Sequence, residues 1–129
     1  MKLQINPYTL PGTATERTLE NVALVIAEYY GIEARLMYAC KLRKHKYLHP
    51  RQLVQAVLVF EGYSANEIAK LFKITRASVY SNCSKIVIRM KLYASNKGEY
   101  TEALTGLNID AEHFYNELIK HKWIQRRLN

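Results

Sequence analysis

No stretch of this 129-residue chain approaches the roughly 18 consecutive apolar residues of a membrane span, so no segment is expected to cross a bilayer. The N-terminal MKLQINPYTLPG also lacks the apolar core of a signal peptide. The expectation is a soluble protein that stays in the cytoplasm of the cell that makes it. Proline and glycine are scarce, 3 and 5 residues, while 49% of the chain is apolar, which argues against disorder over most of its length. There are 2 cysteines, Cys40 and Cys83, with no Cys or His partner at metal-ligand spacing. Both are expected to pack as small apolar residues in a reducing compartment rather than to form a disulfide. His45, His49, His113 and His121 are scattered, and no carboxylate pair or nucleophile-base arrangement joins them. A Gly-rich loop ending in Lys-Ser/Thr is absent too, so no ATP site of that kind exists. Neither enzyme activity nor a cofactor nor a metal is expected.

Acidic residues are missing from one region in particular. From Arg35 to Lys97, 13 Lys or Arg stand against Glu61 and Glu67 alone, a local charge of +11, whereas the other 6 basic and 9 acidic residues sum to −3. The overall +8 is therefore a concentrated patch, the footprint of a polyanion partner.

Within that region, Ser64 to Ile86 reads as a helix-turn-helix. Ser64 with Glu67 three residues on forms a capping box, so a helix should begin at Ala65, with Ile68, Ala69, Leu71 and Phe72 on its apolar face. Lys73-Ile74-Thr75 breaks the pattern, and Thr75 caps a second helix whose buried face is Val79, Cys83, Ile86 and Met90. That register turns Arg76, Ala77, Tyr80, Ser81 and Ser84 outward, a set of hydrogen-bonding groups suited to base edges in a major groove. An ordinary antiparallel helix pair with a short turn gives the same pattern. The local charge separates the two readings.

The rest of the chain is expected to be helical after an extended arm over 1–14. Leu19, Val22, Ala23, Ile26, Ala27 and Tyr30 recur at helical spacing up to Gly31, and a short helix over Ile32 to Ala39 should bury Ile32, Leu36 and Met37. The basic run Lys41 to His49 reads as a solvated loop before Pro50, placed at the first turn of a central buried helix reaching Phe60. Arg51 and Gln52 are expected to be exposed at its start. The second helix of the motif continues to Tyr93 and is ended by Ser95 to Gly98. Glu99 to Asn108 reads either as a short helix around Tyr100 to Leu104 or as a loop. Asp110 then caps a last helix, with Phe114, Tyr115, Leu118, Ile119 and Trp123 as its apolar face and Lys120, Lys122, Arg126 and Arg127 at its negative end. The expected division is 1–14, 15–97 and a C-terminal helical extension over 98–129.

Residues Leu19 to about Met90 resemble the C-terminal DNA-binding domain of the bacterial chromosomal replication initiator, DnaA. The matching blocks are Val25-Ile26-Ala27-Glu28-Tyr29-Tyr30-Gly31-Ile32, the basic loop ending His49-Pro50-Arg51-Gln52, Ser64 through Leu71-Phe72, and Val79 through Cys83-Ser84-Lys85-Ile86. The resemblance implies an all-α, Trp-repressor-like helix-turn-helix domain, here with an additional C-terminal helix. It also implies Arg43 in a minor groove, Arg51 and Gln52 beside phosphates, and Ser64 close to the backbone. At the start of the reading helix the chain departs from the family. Where the family has Arg-Asp-His-Thr-Thr-Val, this sequence has Ile74-Thr75-Arg76-Ala77-Ser78-Val79, with one residue fewer before it. The initiator's site preference does not carry over, and the segment is closer to generic helix-turn-helix proteins.

The expected partner is double-stranded DNA, in replication or transcription control. Lys41, Arg43, Lys44, Arg51, Gln52, Ser64, Thr75, Arg76, Ser78, Ser81 and Lys85 are the candidate contacts. Arg76 and Ser81 would face bases; Arg51, Ser64 and Lys85 would face phosphates. The alternative is a protein-interaction module that keeps the fold without reading DNA.

Overall fold

In the computed structural model, which describes residues 19–37, 45–92 and 94–124, the apolar residues spaced three and four apart are drawn together into one core and the protein is all-α. Helix α1 (Leu19–Tyr30) buries Leu19, Val22, Ala23, Ile26 and Ala27, the stripe visible in its sequence. A 3-10 turn, Ala34–Met37, follows and seats Leu36 and Met37 against the core. It is shorter and tighter than the expected helix, and Tyr38 and Ala39 lie outside the described residues. Helix α2 (His45–Phe60) is central: every residue from Pro50 to Val59 is buried, and α1, α3, α4 and α6 all pack on it. Truncating a side chain such as Leu53, with no exposed surface, would cost about 2–5 kcal/mol.

Helix α2 corrects the sequence reading at its start. It begins at His45, so Pro50 sits inside it and the second half of the basic run is helical. Pro50 is the sixth residue of the helix, beyond the first-turn amides that lack a helical partner, so it forfeits the bond its own nitrogen would make to the Lys46 carbonyl.

Helices α3 (Ala65–Phe72) and α4 (Arg76–Leu92) follow, then α5 (Ala94–Thr105) and α6 (Ala111–Leu118). Ser95 to Gly98 do not end a helix; they belong to α5, which settles the open reading of Glu99 to Asn108 as helix to Thr105 and then turn. Helix α5 packs on α1 and α4, and α6 on α2 and α4, so Tyr100, Leu104, Phe114 and Leu118 share one core with Leu53 and Val57. Asp110 caps α6 as expected, its carboxylate accepting the His113 N–H at 2.9 Å. The last helix is interrupted after Leu118, where bonds from Lys120 to Glu117 and from His121 to Leu118 tighten the chain before Ile124 is buried.

Four helices end in one way. After α1 the Gly31 N–H donates to Glu28 and the Ile32 N–H to Ala27, at 3.2 and 3.0 Å, the paired bonds of a Schellman closure. The same pair closes α2 at Gly62 and Tyr63, α3 at Lys73 and Ile74, and α5 at Asn108 and Ile109. The first residue of each pair has positive φ, and the second is an apolar residue packed in or against the core. Two of the four left-handed positions are glycine and one is asparagine, which tolerates that region; Lys73, at φ 55°, is the exception.

Candidate nucleic-acid interface

The motif from Ser64 onward forms as its caps dictate. The Ser64 hydroxyl accepts the Glu67 N–H at 3.1 Å and the Glu67 carboxylate accepts the Ser64 N–H at 2.9 Å, closing the capping box of α3. Lys73 and Ile74 close its far end, and Thr75 starts α4, its hydroxyl accepting the Ser78 N–H at 3.0 Å. Between the two helices there are three residues, Lys73, Ile74 and Thr75.

Packing against α2 and α3 sets the rotation of α4. Val79, Cys83, Ile86 and Met90 are buried as anticipated, together with Val87. Burial pushes the Cys83 thiol far up, so it stays protonated and behaves as an apolar group. Ser84 corrects the expected outward set: it is 3% exposed, on the core side, and among the described residues its hydroxyl has no hydrogen-bond partner. The outward face therefore centres on Ala77, Ser81 and Lys85, flanked by Ser78 and Arg89.

This surface is uniformly cationic. Helix α4 contains no Asp or Glu, and Lys73, Arg76, Lys85 and Lys91 are exposed along it and the preceding turn, with Lys70 exposed in the last turn of α3. Among the described residues none of these cations is ion-paired; the pairs present are Arg35 with Glu33 and Lys120 with Glu117, both elsewhere. Cations left without carboxylate partners keep a positive potential directed outward, available to an anionic ligand.

Two candidates move from surface to interior. Arg51 and Gln52 are only 7% and 8% exposed, not at an open helix start. The Arg51 Nε–H donates to the Leu36 carbonyl at 2.7 Å, tying α2 to the 3-10 turn. Gln52 belongs to a polar layer between α2 and α4: its amide donates to Asn82 at 3.4 Å, Asn82 donates to Gln55 at 2.9 Å, and Arg89 donates to the Gln52 carbonyl at 2.8 Å. Both residues are polar and were expected in water, but tertiary hydrogen bonds make their burial affordable.

Of the other candidates, Thr75 caps α4, and Arg76, Ser78, Ser81 and Lys85 are brought together on its first three turns. Ser78 shares its hydroxyl with that of Thr75 at 2.9 Å, so both serve the cap. Ser64 is exposed but stands at the start of α3, also engaged in capping. Lys41, Arg43 and Lys44 lie outside the described residues. Sequence reasoning missed Arg89, although its place one turn beyond Lys85 was a signal. It also missed a ring contact: Tyr80, expected outward, is stacked on Trp123 with centroids 4.5 Å apart and planes at 25°. Nothing in local spacing connects positions so far apart.

Among the described residues no three His, Cys, Asp or Glu side chains are placed to hold a metal ion, and no helix is long and apolar enough to cross a membrane. Comparison of the chain with protein-family models, curated proteins and solved structures gave no match.

Proposed function

We propose that this protein is a cytoplasmic duplex DNA-binding protein that lays α4 in the major groove, acting in replication or transcription control. The observation that carries this reading is the cationic face of α4 and the turn before it, where Lys73, Arg76 and Lys85, none of them ion-paired among the described residues, surround the small outward residues Ala77 and Ser81. A major groove about 12 Å wide admits a helix, and small residues at the centre of the face let its backbone approach the base edges. Arg76 and Ser81 are the base-facing groups in this reading, with Lys73 and Lys85 on phosphates. The basic run containing Lys41, Arg43 and Lys44 supplies further phosphate or minor-groove contacts, as the resemblance to the initiator domain implies. Arg51 and Gln52, being buried, leave the contact set.

The test is a salt titration on random-sequence duplex DNA. About four to six phosphate contacts give a slope of log K against log salt of about −4 to −5. A slope near zero, or no binding at low salt, transfers the surface to a protein partner and sinks the proposal.

A further inference from the structure

Helix α6 stops at Leu118, its eighth residue, and the chain then turns through successive short-range bonds, His121 to Leu118 and Ile124 to His121, at 3.1 and 3.0 Å. Burial of Ile124 pins the far side of this turn in the core. Trp123, the only tryptophan of the chain, is thereby carried back onto the flank of α4. A continuous ladder results. The His121 ring lies 5.2 Å from Trp123, Trp123 is stacked on Tyr80, and the Arg76 guanidinium stands over the other end of the ladder, 6.0 Å from the Tyr80 centroid.

We infer that the segment after α6 is a working part of the DNA interface, with Trp123 a positioning residue that holds Tyr80 and, through it, orients Arg76 toward the base edges. The inference rests on the DNA-binding reading above. Tyr80 and Arg76 are one helical turn apart on the same flank, so a Tyr80 ring fixed from behind limits the directions the guanidinium can take. An exposed arginine is otherwise rotamer-rich, and ordering it before binding removes a cost that falls on recognition. Trp123 contributes no charge. Its influence must therefore appear in sequence preference and not in salt dependence.

The experiment compares wild type, Trp123→Ala, Trp123→Phe, Arg76→Ala and Trp123→Ala/Arg76→Ala on a duplex selected by the wild type from a random pool and on random duplex of equal length. Trp123→Ala should reduce the ratio of the two affinities about 3- to 10-fold, the worth of one aromatic contact, and leave the salt slope unchanged. Trp123→Phe, which keeps a stacking ring, should restore most of the ratio. In the double variant the loss should equal that of Arg76→Ala alone, since both act through one side chain. An unchanged ratio in Trp123→Ala overturns the inference. So does an equal loss on both duplexes accompanied by a lower melting temperature, which marks Trp123 as structural only. NMR relaxation of the Arg76 side-chain Nε in the free protein reads the ladder without DNA: ordered in wild type and Trp123→Phe, mobile in Trp123→Ala. If the wild type binds no duplex, the DNA-binding reading falls; if the Arg76 Nε is equally mobile in all three proteins, the positioning role falls by itself.

Discussion

Lys73 occupies a left-handed position at the turn between α3 and α4, where α1 and α2 end on glycine. An L side chain there costs about 1–2 kcal/mol. Glycine escapes that strain but gives back about 0.4–1 kcal/mol through its freer unfolded chain. Lys73→Gly should therefore stabilise the protein by about 0.5–1 kcal/mol, raising the melting temperature by roughly 2–5 °C for a chain of this size. Lys73→Ala is the matched control: it removes the same charge and keeps the same strain. Urea unfolding followed by circular dichroism should place the glycine variant above both wild type and the alanine variant, the reverse of the order in a helix interior. On DNA the two variants should lose affinity equally, with the salt slope shallower by about one if Lys73 touches a phosphate. If glycine proves no more stable than alanine, the left-handed residue is unstrained and this reasoning fails.

Ser84→Ala removes a buried hydroxyl that has no partner among the described residues and should stabilise the fold by about 0.5–1.5 kcal/mol, leaving DNA affinity unchanged; a clear loss of affinity would return Ser84 to the reading face. Gly106→Ala places a methyl 2.9 Å from Val25 Cγ1 and 3.3 Å from the Ala103 carbonyl, so chemical denaturation should show a loss of about 1–2 kcal/mol. Adding Val25→Ala should cost less in that background than alone; simple additivity would refute the clash. Arg51→Ala breaks the charged bond to Leu36 and should cost about 1.5–3 kcal/mol or more of stability, with the DNA salt slope unchanged where the variant is folded. A slope shallower by one with stability intact would instead make Arg51 the phosphate contact that the family resemblance implies.

The helix ends that carry a capping side chain or glycine were the most legible part of the fold in the sequence, because caps are local. Ser64 with Glu67, Thr75, Asp110 and Gly31 all act within a few residues of where they stand. The apolar stripes of α1 and α2 were equally plain. What failed were judgements that depend on a distant neighbour. Arg51 and Gln52 read as surface residues because their partners, Leu36, Asn82 and Arg89, come from other elements. Ser84 was misplaced because the width of the buried arc of α4 depends on what packs around it. Pro50 read as a first-turn residue from propensity alone, and the preceding turn proved helical as well. In the candidate site the cations of α4 were legible as charge, while the Tyr80 stack on Trp123 had no signature in spacing.

The layer formed by Gln52, Gln55, Asn82 and Arg89 works as an index pin for α4. Apolar contact is non-directional and several rotations of a helix satisfy it nearly as well, whereas amide bonds are met at one angular setting only. A slip of one residue turns a helix by about 100°, enough to swing Lys85 off the outward face and part all of these bonds at once. The surface that α4 shows is thus chosen by side chains on its inner edge. Outward residues such as Ala77, Ser81 and Lys85 are left as interchangeable letters on a wheel that does not turn. A chain built this way can change the face it presents one substitution at a time, with the frame that holds the letters kept still.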